Sequence, residues 1–204
     1  MKTLSAAALA LMAVTPAFAG NTLINFETVT SFASIESYYD GGADGAGAIG
    51  PSLGVVFTGD ALGLANDFVT YFTHAPSPIG VMAPVGADAT MNVASGFAGA
   101  VSFAYTASQF VGQVNVWSGL NGTGDVLASF NLVKNAQRGC SDSPYCRFDT
   151  MTSTFAGTAH SMTFGNAANV AAFDDIRITA VPEPTGALLL SLGLATLFVA
   201  RRRG

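Results

Sequence analysis

Three sets of side chains have the types and spacings to do chemistry. The first is acidic: Glu27 in "NFE" near the start of the body, and Asp174 and Asp175 in "FDDIRI" near its end. If the first and last strands of the body lie side by side, these carboxylates share one spot. Like charges that close resist joint ionisation, and a hard cation with oxygen ligands, Ca²⁺ above all, relieves the repulsion. The same acids equally suit a strand end that faces solvent. The second set is "QVNVW". On a strand, Val114 and Val116 point to the core, while Gln113, Asn115 and Trp117 share the opposite face. An aromatic ring flanked by amides suits a sugar, because the apolar face of a pyranose stacks on the ring while its hydroxyls need hydrogen-bonding partners. A lone tryptophan also suits partly buried packing. The third set is Cys140 and Cys146, the only two cysteines.

In an exported chain those cysteines join as a disulfide. The loop they close, "SDSPY", is short, so the bridge removes only about 2 kcal/mol of unfolded-chain entropy and pins a loop rather than the fold. Zinc would need further ligands: no second cysteine pair exists, and His74 and His160 lie far away in sequence.

Catalytic constellations are weak. Gly45-Ala-Gly47-Ala-Ile-Gly50 satisfies G-x-G-x-x-G, but Pro51 and the β-branched "GVVF" follow where a dinucleotide site needs a helix N-terminus. With Asp40, Gly41, Gly42 and Asp44 the segment reads as a turn-rich loop, with a weak cation site as the alternative. No Gly-x-Ser-x-Gly elbow occurs, and two histidines offer little for nucleophile activation. A glycosidase needs only two well-spaced carboxylates, and nothing singles out such a pair. The body therefore reads as non-catalytic. Asn121-Gly-Thr123 reads as a hairpin turn.

The elements that must position these residues are strands. "TLINFET", "GVVFTG", "DFVTYF", "GAVSFAYT", "QVNVW", "VLASFNLV", "TSTFAG", "SMTFG" and "AFDDIRITAV" alternate or run apolar over short lengths, separated by turn signals such as "APSPIG" and "SGLNGTGD". No long segment of helical period lies between the termini. The reading is all-β: a two-sheet β-sandwich, jelly-roll-like, over residues 20–181. A β-helix would need a fixed repeat, and none is visible.

Charge excludes one class of partner. Within the body only Lys134, Arg138, Arg147 and Arg177 are basic, against twelve of the chain's 13 acids. Such a surface repels nucleic acid.

Both ends read as addresses. Met1-Lys2-Thr3, the apolar stretch Leu4 to Val14 and Ala17-Phe18-Ala19 have the order of a secretory signal peptide, residues 1–19. At the other end, Thr185 to Ala200 is uncharged: about 24 Å of helix against a hydrocarbon core of about 30 Å, just enough for a transmembrane helix. Arg201, Arg202 and Arg203 keep that end cytoplasmic.

Pro182-Glu183-Pro184, the short apolar helix and the three arginines together resemble the PEP-CTERM sorting signal of Gram-negative bacteria, also labelled an ice-binding protein C-terminal motif. The resemblance implies recognition of residues 182–204 by an exosortase in the inner membrane, then delivery to the cell surface or extracellular matrix. "FE" early and "DDI" late resemble the calcium-bearing ends of extracellular jelly-roll modules, including carbohydrate-binding ones. That implies a structural calcium at Glu27 with Asp174 or Asp175. The expectation is a secreted, non-catalytic protein of the surface or exopolysaccharide that binds carbohydrate. The alternatives are a specific lectin and, further off, a glycoside hydrolase or lyase.

Overall fold

The computed structural model describes residues 20–66, 71–109 and 112–181. The expected signal peptide, residues 1–19, and the expected sorting tail, residues 182–204, lie outside the described residues. Among the described residues, no helix is long and apolar enough to cross a membrane.

The body is all-β. Among the described residues, nine strands run in the order β1 Asn21–Ile24, β2 Val56–Phe57, β3 Ala61–Ala65, β4 Gly80–Pro84, β5 Thr90–Ala107, β6 Gly112–Trp117, β7 Val126–Leu132, β8 Asp149–Thr163 and β9 Ala171–Ala180. Every strand pairing is antiparallel, and the pairings join all nine into one sheet. Its order is β3-β4-β9-β5-β8-β6-β7, with β1 added on β9 and β2 on β5. Strands expected as separate merge: "TSTFAG" and "SMTFG" are both β8, and "GAVSFAYT" is the second half of β5. β4 falls where the sequence signalled the end of a turn. Almost all of it is buried, so it lacks the alternation that marks a half-buried strand.

The long β5–β8 pair gives the sheet its two halves. The beginning of β5 pairs with β2 and with the end of β8, whereas Val101–Ala107 pairs with β9 and with the start of β8. Between them the register slips at Asn92/Phe97 and again at Ala98/Gly99. Gly96 sits at φ +83°, where a side chain would collide with Thr158, so only glycine lets the strand bend there. The bend brings β7 over the other half: the Phe103 ring lies 4.8 Å from Phe130 and 5.5 Å from Phe173. The expected two sheets are thus facing halves of one continuous sheet, with the core between them.

That core is aromatic. Phe26, Phe97, Phe103, Phe164 and Phe173 are all but fully buried, with Met82, Met91 and Met162 filling the gaps between rings. Burying one such ring contributes about 1.5–3 kcal/mol.

Candidate functional site

The outer face of β6 matches its sequence pattern. Val114 and Val116 are fully buried, and Gln113 and Trp117 lie half-exposed on the opposite side; Asn115 shares that side but, against the expectation of an open face, is buried. Register extends this face across three strands. Gln113 faces Asn131 and Asn115 faces Ser129 on β7, while Asn115 faces Thr163 and Trp117 faces Ser161 on β8. Paired residues of antiparallel strands point to the same side, so the outcome is one broad, uncharged row of amides and hydroxyls.

A relay of hydrogen bonds orders the row. Ser129 Oγ donates to Asn115 Oδ1 at 2.7 Å, Asn115 Nδ2 to Gln113 Oε1 at 3.3 Å, and Gln113 Nε2 to Asn131 Oδ1 at 3.3 Å. Ser129 and Asn131, at its two ends, are exposed. Each amide keeps N–H capacity beyond the bond it makes; Asn131 is exposed and Gln113 partly so, whereas Asn115 between them is buried and serves to order the others.

Trp117 departs from the expected open platform. Its indole N–H donates to Thr163 Oγ1 at 3.0 Å, and the ring is half-buried. The turn Leu120–Gly122 between β6 and β7 lies against its Nε1 edge. Two bonds clip that turn to β5: Asn92 Nδ2 donates to Asn121 Oδ1 at 3.0 Å, and Asn121 N–H returns to Asn92 Oδ1 at 2.8 Å. Gly122 N–H donates to Ser161 Oγ at 3.0 Å. Asn121 therefore holds the turn down, and only part of the tryptophan ring is left for a ligand.

Beyond this turn the face continues into an open cleft of about 470 Å³ that Thr58, Asp60, Asp88, Thr90, Asn121 and Thr163 line. Asp60 Oδ2 accepts the Asp88 N–H at 3.0 Å, so this loop pair is partly self-satisfied. Asp60 and Asp88 lie 28 residues apart in unrelated loops, and no sequence signal connected them.

The acids at the two ends of the body come together through strand pairing. β1 pairs with β9, setting Ile24 opposite Ile176. Each carboxylate nevertheless has its own protein partner. Glu27 Oε1 accepts Gly80 N–H at 2.9 Å. Asp174 is fully buried and accepts Ser77 N–H at 2.9 Å, Ser77 Oγ–H at 2.8 Å and Asp175 N–H at 2.7 Å. Asp175 pairs with Arg177 at 2.7 Å.

Burial pushes the Asp174 carboxyl up to about 6, against the pull of the Ser77 hydrogen bonds. The three acids do not gather as ligand atoms within 4.8 Å of one another; among the described residues only Cys140, Asp142 and Cys146 do. The sulfurs of that second group are bonded to each other, so it offers no thiolate. For Glu27, Asp174 and Asp175 the donor set fits strand-end capping rather than a calcium cage, which needs six or more convergent oxygens.

Asp44, in the glycine-rich loop, is likewise structural. Burial opposes its charge, yet N–H groups of Thr30, Ala48 and Ala46, each at 2.9 Å, hold its carboxyl below the usual range.

The expected disulfide is formed between Cys140 and Cys146. The loop it closes is stitched to the segment before β4: His74 Nδ1 donates to the Cys146 carbonyl at 2.9 Å, and the Thr73 and Ser143 hydroxyls meet at 3.0 Å.

No family model matches the chain, and no curated protein matches it. Solved structures similar in outline include carbohydrate-binding modules, an adhesin domain and, over 32% of its own length, a family 43 glycoside hydrolase. The K1 cleaved adhesin domain of Lys-gingipain from Porphyromonas gingivalis aligns with 79% of this chain and 99% of its own, at 12% identity and TM-score 0.47. A β-1,3-glucan binding family 6 module from Bacillus halodurans aligns over 78% and 96%, at 9% identity and TM-score 0.42. The family 6 module of Cellvibrio mixtus lichenase 5A, solved with cellotriose, aligns over 63% and 88%, at 12% identity and TM-score 0.36.

Proposed function

We propose that this protein is a secreted, non-catalytic module of jelly-roll type that binds polysaccharide at the bacterial surface or in its matrix. Residues 1–19 carry it across the inner membrane. Residues 182–204 hold it there for an exosortase acting at Pro182-Glu183-Pro184, with Arg201–Arg203 inside.

The single observation that carries the binding reading is the uncharged row of amides and hydroxyls that Asn131, Gln113, Ser129 and Thr163 present, ordered by the buried Asn115. A row of this kind exchanges hydrogen bonds with sugar hydroxyls at little ordering cost, because the relay has already fixed the side chains. Polymer chains suit it better than small molecules, since the face is broad and open rather than enclosed. The test is retardation of the full-length chain in gels that contain soluble neutral polysaccharides. Binding that weakens in a Gln113→Ala/Asn131→Ala variant supports the reading, and no retardation by any polymer removes it.

A further inference from the structure

A second aromatic surface lies on other elements. Tyr71 and Tyr145 stand with ring centroids 5.2 Å apart and planes inclined at 47°, backed by Phe72 at 5.3 Å from one and 5.4 Å from the other. They border a depression of about 190 Å³ whose lining includes the small side chains of Ala83, Ala171 and Ala172 and the amide of Asn169. None of the residues lining it is charged.

The walls are held in place before any ligand arrives. Asn66 Oδ1 accepts the N–H groups of both Tyr71 and Phe72 at 3.0 Å, and its Nδ2 donates to the Phe72 carbonyl at 2.9 Å. Tyr145 N–H donates to Ser143 Oγ at 3.2 Å within the loop that the disulfide closes. Asn169 sits at φ +61°, a left-handed conformation that asparagine tolerates better than most residues, with its N–H on the Pro84 carbonyl at 2.8 Å. Its Nδ2 donates to the Val85 carbonyl at 3.2 Å. Its Oδ1 and the two tyrosine hydroxyls make no hydrogen bond among the described residues, so the rim offers one acceptor and two groups that both donate and accept.

These features select a ligand. An apolar guest would leave that rim unused, an acidic sugar would find no cation, and the space lies below that of a drug-sized site. We propose that the depression is a subsite for one neutral pyranose ring of a polysaccharide, stacked against Tyr71 or Tyr145, with its hydroxyls reaching Asn169. The subsite takes its ligand class from the carbohydrate reading above but shares no residue with the strand face.

The test uses affinity gels that hold mixed-linkage β-glucan, xylan or galactomannan, with the polyuronate alginate in parallel. At least one neutral polymer is expected to retard the full-length chain. Tyr71→Ala and Asn169→Gly should each weaken that binding about tenfold, the worth of one stacked ring or rim contact. Both positions are on the surface, and glycine accepts the positive φ of Asn169, so melting temperatures should stay close to the original. If both variants are retarded like the original while Gln113→Ala/Asn131→Ala is not, the subsite is wrong and the strand face stands. If no neutral polymer retards the original chain, both readings fall. Retardation by alginate alone also overturns the proposal.

Discussion

Ser77 and Asp174, 97 positions apart, meet twice: the Ser77 N–H donates to Asp174 Oδ2 at 2.9 Å and its hydroxyl to Oδ1 at 2.8 Å. This contact ties the segment before β4 to β9, and Glu27 ties the same segment to the end of β1 through Gly80 N–H at 2.9 Å. The acids at the two ends of the body thus act as clamps on one loop.

A pH dependence follows from the burial of Asp174. Its folded-state value of about 6 lies above the unfolded value of about 3.9. Its contribution to stability is therefore fully present below about pH 4 and is lost as pH rises through about 6, a decline on the order of 3 kcal/mol. Asp44 and Asp149, held below their ordinary range, act in the opposite sense: their contribution is present above about pH 4 and is lost as pH falls below it. Melting temperature measured from pH 3 to pH 8 should pass through a maximum on the acidic side of neutrality. In Asp174→Asn the fall between pH 4 and pH 7 should disappear.

Calcium should leave the melting temperature unchanged. The oxygens of Glu27 and Asp174 already face N–H and O–H donors, and Asp175 already pairs with Arg177. A rise of several degrees on millimolar Ca²⁺, reversed by chelator, would show that these groups rearrange around an ion.

The Phe103 ring bridges the two halves of the sheet, with Phe130 at 4.8 Å and Phe173 at 5.5 Å. Phe103→Ala should cost about 3–5 kcal/mol, read from denaturant unfolding, because the rings around it cannot close over the space left behind. A loss below about 1 kcal/mol would mean that the halves are held together elsewhere.

Loss of the disulfide should be milder. Cys140→Ser/Cys146→Ser removes about 2 kcal/mol at most, because the closed loop is short. Far-ultraviolet circular dichroism should stay unchanged while binding through Tyr145 weakens. Global unfolding on reduction would contradict the local role.

Mass spectrometry of the protein recovered from its host should give a mature N-terminus at Gly20 and a C-terminus near Pro182–Pro184.

How much of this was legible in sequence depends on range. β6 could be read in its alternation, which fixes the core valines and the side that Gln113, Asn115 and Trp117 share, but the burial of Asn115 could not, because it depends on Ser129 and Gln113 closing over its amide. Pairing of the first and last strands could be expected, and it does bring Glu27 and Asp174 to one loop. That Asp174 would be buried on Ser77 could not be read, since its partner lies 97 positions away in a stretch that looks like a plain turn. β5 and β8 read as fragments because the glycines that let them bend imitate turn signals. Tyr145 was hidden for a similar reason: it meets Tyr71 where the disulfide loop docks on the segment before β4, 74 positions away.

The central claim is that the amide row on β6 and β7 binds neutral polysaccharide, and affinity gel electrophoresis of the full-length chain tests it most directly. Retardation that weakens about tenfold in Gln113→Ala/Asn131→Ala, with an unchanged melting temperature, is the predicted result. Migration unaffected by any neutral polysaccharide, or retardation identical in that variant, would contradict it.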